Sequence, residues 1–135
     1  MPHPVILYTP NIEATADMTG LCRRLADAML QMRDEANQSI FPTGGTRVLA
    51  YPAAHHAVAD GRGDYGFVYL HLRIAAGRSQ AALQRTGDAL LFTARSHLAP
   101  LFERMALGLT VQIDESAGQV YDGKHSTLHP LFNKG

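Results

Sequence analysis

Residues 65–74 read YGFVYLHLRI and are followed by the turn AAGRS at residues 75–79. Apolar residues occupy every second position from Val68 to Ile74, and this period of two predicts a β-strand with one face in the core. The alternate positions carry Tyr65, Phe67, Tyr69, His71 and Arg73. The stretch therefore predicts a long strand whose second face is aromatic and amphipathic rather than simply polar.

The residues after this strand predict a helix and then another strand. Ser79 is a good N-cap residue, and the apolar residues that follow it recur at helical spacing as far as Phe102. Pro100 is expected to kink or fray this helix near its end, because proline lacks the backbone N–H that a helix interior uses. Alternation of apolar residues from Ala106 to Ile113 then predicts the last strand.

The first half of the chain has the same order of elements. An apolar run from Pro4 to Tyr8 predicts a strand, and a second extended pattern follows from Arg47 to Tyr51. Between them a helix is predicted from about Thr15, ending before the Pro- and Gly-containing turn that begins at Phe41. Its apolar face consists of Met18, Leu21, Cys22, Leu25, Ala28, Met29 and Met32.

Two strand–helix–strand halves predict an α+β fold in which two pseudo-symmetric β-α-β units form one four-stranded sheet. Both helices are expected on one face of the sheet, because each crossover connection is right-handed. The length fits a single domain over residues 1–135, with a loop at residues 52–64 and a C-terminal extension at residues 116–135. We expect that extension to dock, with a neighbouring subunit as one candidate surface.

The face of the sheet opposite the helices is predicted to be apolar. A patch of this size is unusual on a small soluble monomer, so we expect another subunit to cover it. The residues assigned to this face are Ile6, Leu49, Tyr51, Phe67 and Tyr69.

The charge balance limits the classes of partner. The chain has 12 basic and 12 acidic residues, so no overall field attracts nucleic acid or an anionic membrane. Only Lys124 and Lys134 are lysines, and the other ten cations are arginines, which suit bidentate binding of carboxylates. A lone cysteine and an N-terminal segment without a signal or membrane-spanning pattern predict a cytoplasmic protein. Small acidic molecules are the expected ligands, with no nucleic acid and no membrane partner.

Pro2 is the first candidate catalytic residue. Removal of the initiator methionine before a small residue leaves a free secondary amine at Pro2. An α-amino group titrates near 7.7–8.0 in model peptides, and an apolar pocket or nearby cations lower that pKa further, so the amine can act as a base at neutral pH. The simpler alternative is that Pro2 only begins the first strand.

Arg47 and Arg78 are the candidate substrate-binding residues. Arg78 precedes the N-cap of the second helix, where free N–H groups and the helix dipole favour an anion, and Arg47 opens the second strand. A solvated side chain or a surface salt bridge is the alternative for each. The seven histidines do not form a known metal motif, since the pair four residues apart, His125 and His129, lies in a tail broken by Pro130. We predict neither a metal nor another cofactor.

Five short motifs follow one another from one end of the chain to the other. They are Pro2-His3, Phe41-Pro42-x-x-Gly45-x-Arg47, Ala59-Asp60-Gly61-x-x-Asp64-Tyr65-x-Phe67-Val68, Ile74-x-Ala76-Gly77-Arg78-Ser79 and His129-x-Leu131-Phe132. In this order they resemble the 5-carboxymethyl-2-hydroxymuconate isomerase family of the tautomerase superfamily. The resemblance implies a repeated β-α-β fold, a homotrimer, Pro2 as the acid/base, and Arg47 and Arg78 holding substrate carboxylates.

The function hypothesis that follows is a cofactor-independent isomerase. As the resemblance implies, it would ketonise a carboxylated dienol such as 5-carboxymethyl-2-hydroxymuconate in the breakdown of aromatic compounds. A tautomerase of another 2-hydroxy-dienoate or of a phenylpyruvate-like compound is an alternative within the superfamily. A trimeric binding or scaffold protein of the same fold, without catalysis, is the alternative from another class.

Overall fold

The computed structural model describes residues 3–132, and the candidate base Pro2 lies outside the described residues. Two 3-10 turns, at Pro10–Ile12 and Thr43–Gly45, supplement the regular elements. The strands are β1 (Val5–Tyr8), β2 (Leu49–Pro52), β3 (Gly66–Ala75) and β4 (Leu107–Ser116). The helices are α1 (Glu13–Ala16), α2 (Met18–Leu30), α3 (Gln80–Phe102) and α4 (His129–Phe132).

The four strands form one mixed sheet in the order β2-β1-β3-β4. β1 pairs in parallel with β2, and β3 pairs in parallel with β4, so each half is a β-α-β unit. The two halves meet through the antiparallel pairing of β1 with β3, in which Val5 lies opposite His71. This arrangement confirms the predicted pair of pseudo-symmetric units.

The core lies between the sheet and the two long helices. Val68, Leu70 and Leu72 on one face of β3 are fully buried, and Ile74 is 1% exposed. Most buried apolar residues of α2 and α3 belong to one hydrophobic cluster with the core face of β3, which confirms that both helices cover one face. Their buried apolar residues are Met18, Leu21, Leu25, Ala26, Met29, Ala82, Leu90, Ala94, Leu98 and Leu101.

The prediction that Ile6 lies on the open face of the sheet is wrong. Ile6 pairs with Leu70 of the core face and is 0% exposed, whereas Leu7 pairs with Tyr51 and Tyr69 and is 45% exposed. Side chains alternate along a strand, so an offset of one residue in a strand as short as β1 moves every side chain to the other face. The remaining predicted members of the open face are confirmed there, namely Leu49, Tyr51, Phe67 and Tyr69.

The bounds of several elements differ from the prediction, whereas α3 ends at Phe102 as its apolar pattern predicts. The first long helix begins at Met18 rather than Thr15, because Asp17 adopts the left-handed conformation (φ 49°) and its carboxylate accepts a hydrogen bond from the Gly20 N–H. α3 continues two residues past Pro100, where only the last turn is affected by the missing N–H. β4 extends to Ser116, in register with the whole of β3.

The C-terminal extension folds back on its own chain at one point. α4 contacts the Thr43–Gly45 turn, and a Cβ added at Gly44 would lie 3.0 Å from the Cα of His129, so a larger residue would fit only if α4 shifted slightly. Val120 and Tyr121, earlier in the extension, are highly exposed. Docking of that part on a neighbouring subunit stays a prediction.

Within residues 3–132, no helix is both long enough and apolar enough to cross a membrane.

Candidate active site

A cavity of about 700 Å³ lies where the chain enters β1 and leaves β3. Its far wall is formed by residues of the C-terminal extension between Gln119 and His129. The cationic and imidazole side chains that line it are His3, Arg47, His71, Arg73, Lys124, His125 and His129. A cavity lined in this way suits a small anion.

The pairing of β1 with β3 explains why these residues meet. Val5 lies opposite His71 in an antiparallel pair, so the chain before Val5 runs beside the part of β3 that follows His71. His3 and Arg73 consequently line the same cavity although they are far apart in sequence. Arg47 reaches it from the turn that precedes β2, the parallel neighbour of β1.

The open face of β3 carries a row of stacked rings that leads to this cavity. The ring centroids of Phe67 and Tyr69 are 6.3 Å apart with an interplanar angle of 9°. Those of Tyr69 and His71 are 5.8 Å apart at 11°. Alternate residues of a strand stand on the same face about two rises apart, which lets aromatic rings stack in this way.

The polar groups of this row reach diagonally across to β4. The Tyr69 hydroxyl donates to Oε1 of Gln112 at 2.7 Å. Nε2 of His71 lies 2.6 Å from Oδ2 of Asp114, rather than bonding to its direct cross-strand neighbour Gln112. These contacts hold the His71 ring in place and engage the Asp114 carboxylate.

Arg47 lies at the boundary between two cavities. Its side chain is half-buried and donates to the Gly44 carbonyl at 3.2 Å. It also lines a second cavity of about 570 Å³, which includes Cys22. Burial raises the pKa of the Cys22 thiol, in agreement with its predicted place on the apolar face of the first long helix.

His3 carries a buried polar atom without a partner. Nδ1 of His3 has no hydrogen-bond partner among the described residues. Burial lowers the pKa of the imidazole, and the positive charge of Arg47 lowers it further. An imidazole in this state favours the neutral form and leaves one ring nitrogen free to bind a ligand.

Arg78 lies outside the large cavity. The Ser79 hydroxyl accepts from the Ala82 N–H at 3.0 Å, which confirms Ser79 as the N-cap of α3. The Arg78 guanidinium donates to the carbonyls of Ala75 at 3.1 Å and Ile40 at 3.2 Å. It lines a separate cavity of about 480 Å³ together with Asp34 and Glu35. One chain by itself therefore does not bring Arg47 and Arg78 to the same cavity.

Several residues of the cavity, His3 and Arg73 among them, received no role from the sequence. His3 belongs to a motif of the resemblance, and Arg73 belongs to the second face of the long strand, but neither pattern indicates which ligand they meet. The sequence signal that could have identified Arg73 is its position as a cation at the end of the aromatic face of the long strand. Among residues 3–132, no cluster of three or more histidine, cysteine or acidic side chains could hold a metal ion.

Comparison with known proteins gives consistent matches over the whole chain. A family model described as 5-carboxymethyl-2-hydroxymuconate isomerase matches residues 2–132. The 5-carboxymethyl-2-hydroxymuconate Delta-isomerase of Escherichia coli is 32% identical over 132 residues, which are 98% of this chain and 99% of that protein.

Two crystal structures share both sequence and fold with this chain. A 5-carboxymethyl-2-hydroxymuconate delta-isomerase is 53% identical with a TM-score of 0.94, over 100% of this chain and 95% of the other. A 5-carboxymethyl-2-hydroxymuconate isomerase from Deinococcus radiodurans R1 is 33% identical with a TM-score of 0.85, and the match covers 98% of this chain and 95% of the other. These likenesses confirm the fold class predicted from the sequence.

The depressed pKa of His3 predicts how stability responds to pH. The pKa of His3 is lowered below 6.5 in the folded chain, so the unfolded chain binds this proton more readily. The contribution of His3 to the free energy of unfolding is therefore complete above about pH 6.5 and is lost as the pH falls toward the folded pKa. NMR titration of the His3 imidazole should give a midpoint below 6.5, and Arg47→Gln should raise it. The variant His3→Gln identifies the His3 resonance by its absence and should weaken the dependence of the free energy of unfolding on pH. A titration midpoint at or above 6.5 would contradict the expectation.

Proposed function

The chain belongs to the 5-carboxymethyl-2-hydroxymuconate isomerase family and is an isomerase, and on this premise we propose that it ketonises 5-carboxymethyl-2-hydroxymuconate without a cofactor. The observation that carries the proposal is the cavity at the start of β1, where Arg47 and Arg73 present guanidinium groups beside His3. A substrate with several carboxylates matches a cavity with several cations.

We further propose that Pro2 is the acid/base. The support for this proposal is that His3, the next residue along the chain, lines the cavity. The neutral amine removes the proton of the enol hydroxyl and delivers it to a carbon further along the conjugated system. The product is the unsaturated ketone, and the proton transfer is balanced within the substrate, so no oxidant or reductant is needed.

The arginines would stabilise the intermediate of this transfer. Removal of the hydroxyl proton leaves a dienolate whose negative charge spreads toward the carboxylates, and a preorganised cation stabilises that charge. Arg47 lines the cavity and fits this role directly. For Arg78 the support is its place before the N-cap of α3 and the family motif that contains it.

We propose that the functional molecule is a homotrimer. The open face of the sheet exposes Leu7, Leu49, Tyr51 and Phe67, a patch that a neighbouring subunit would remove from water. The exposed Tyr121 of the extension offers a further apolar contact for such a neighbour. The trimer itself comes from the family resemblance.

Catalysis should depend on a free amine at Pro2. General-base catalysis by a positioned group is worth about 10²–10⁴-fold, so Pro2→Ala should lose much of the rate in an ultraviolet assay of ketonisation. A preparation that retains Met1 should be nearly inactive, because an amide nitrogen has its lone pair in resonance. Intact mass identifies the processed form.

Two results would redirect this assignment. Full activity with Met1 retained would move the base to another residue, and His71, held 2.6 Å from Asp114, is the next candidate. Retention of Met1 in all native protein, with no turnover of any hydroxymuconate or phenylpyruvate-like compound, would favour the binding or scaffold protein instead.

Loss of either candidate arginine should weaken the substrate complex. Arg47→Ala and Arg78→Ala each remove a charge-assisted contact worth about 1.5–3 kcal/mol, which is about ten- to a hundredfold in kcat/KM. Arg95→Ala is the matched control, since this exposed residue of α3 lines none of the three cavities described above. Steady-state kinetics with circular dichroism as a folding check measures the effect. Unchanged kcat/KM in Arg78→Ala would remove Arg78 from the proposed site.

A charge on the open face should dissociate the assembly. Leu7→Glu places a carboxylate in the patch that a subunit would cover, and its desolvation opposes association. The control is Phe92→Glu, because Phe92 on α3 is 71% exposed and lies away from that face. Light scattering should give about three times the 14.7 kDa chain mass for the unchanged protein and Phe92→Glu, and a smaller mass for Leu7→Glu. A monomeric unchanged protein at micromolar concentration would contradict the trimer.

A further inference from the structure

We infer that Arg73 binds the carboxymethyl carboxylate of the substrate and so determines specificity for a tricarboxylate over a dicarboxylate. The inference rests on the proposed function, because it names a contact of that substrate. Its basis is that Arg73 lines the cavity together with Arg47. The carboxylate directly opposite Arg73, that of Asp114, contacts His71 instead.

The carboxylate that would ordinarily neutralise Arg73 is engaged elsewhere. Asp114 lies directly opposite Arg73 in the pairing of β3 with β4, and opposite charges at such positions normally attract each other. Asp114 instead contacts His71, with 2.6 Å between Oδ2 and Nε2. Arg73 donates to the neutral Ser116 hydroxyl at 3.3 Å, a long contact that leaves most of its donors available. The Asp114 carboxylate is thus engaged by His71, and no salt bridge to Arg73 is present among the described residues.

Two arginines that line the cavity, Arg47 and Arg73, are available to bind a ligand. Asp122 is the acidic side chain that lines it, and it is bonded to Lys124. Arg47 and Arg73 therefore face the cavity without a carboxylate partner among the described residues that line it. An arginine in this state binds a carboxylate through two parallel hydrogen bonds.

The substrate supplies one more carboxylate than a simple hydroxymuconate. The muconate chain has two carboxylates, and the carboxymethyl branch adds a third. Arg47 is half-buried near His3, which suits a carboxylate close to the proton transfer at Pro2. Arg73 is exposed and reaches toward Ser116 at the end of β4, which suits a branch directed away from the reacting atoms.

Arg78 is less suited to the third carboxylate within one chain. Its guanidinium already donates to two backbone carbonyls, those of Ala75 and Ile40. The cavity that it lines also contains Asp34 and Glu35, and two carboxylates repel a further anion.

The test compares two substrates that differ in the branch carboxylate. Kinetics of Arg73→Gln would be measured with 5-carboxymethyl-2-hydroxymuconate and with 2-hydroxymuconate. The ratio of kcat/KM for the tricarboxylate to that for the dicarboxylate should fall about ten- to a hundredfold, mainly through KM. Arg73→Lys should retain part of the preference, because lysine keeps the charge without the bidentate geometry. Arg95→Gln, with the same change of charge on α3, should keep the original ratio.

Equal losses on both substrates would overturn the inference, because Arg73 would then serve binding or folding in general. An unchanged ratio without any loss would overturn it as well. If Arg95→Gln lowered the ratio of kcat/KM for the two substrates as much as Arg73→Gln, the inference would also be overturned, because net charge alone would then set the preference for the tricarboxylate.

A binding measurement separates this inference from the proposed function. Tricarballylate carries one more carboxylate than glutarate on the same chain, and neither compound is a dienol. Calorimetry should show that Arg73→Gln weakens tricarballylate binding about tenfold more than glutarate binding. If the unchanged protein converts neither dienol, the proposed function is wrong, while the calorimetric ratio still decides the role of Arg73. If Arg73→Gln weakened the binding of tricarballylate and of glutarate by the same factor, that role would be rejected whether or not the protein is an isomerase.

Discussion

The antiparallel pairing of β1 with β3 is the constraint on which the rest of the molecule depends. It joins the two β-α-β units into one sheet and makes Ile6 and Leu70 neighbours in the core. The same pairing brings the chain before Val5 beside the end of β3, so that His3 and Arg73 line one cavity. A change in this register would remove the core contact and the candidate site together, because side chains alternate between the two faces.

One face of β3 serves both the candidate site and the expected subunit contact. Its stacked row runs from Phe67, within the apolar patch, through Tyr69 to His71. His71 lines the cavity, as does Arg73, the next residue on the same face of β3. The diagonal bonds to β4 fix the row from the side and occupy Asp114. The stacking and the bond to Asp114 thus fix the His71 ring beside Arg73, and both side chains line the cavity.

Much of the fold was predictable because its signals are local. The alternation from Val68 to Ile74 identified the core face of β3, and Ser79 identified the start of α3. The repeated order of elements, with the handedness of crossover connections, then predicted one sheet with both helices on one side. The error at Ile6 has a physical reason, since a four-residue strand has too few alternations to define its own phase.

The sequence by itself determined the residue types of the site but not their grouping. It indicated Pro2 as a candidate base and arginines suited to carboxylates, among them Arg47 and Arg78, and the resemblance implies the same roles. Only the tertiary structure decided that Arg73 shares a cavity with Arg47, and that Arg78 lies at another cavity of the same chain. Periodicity encodes which face a residue takes within its own element. Which distant elements meet depends on strand register and on the packing of the C-terminal extension, and no local pattern carries that information.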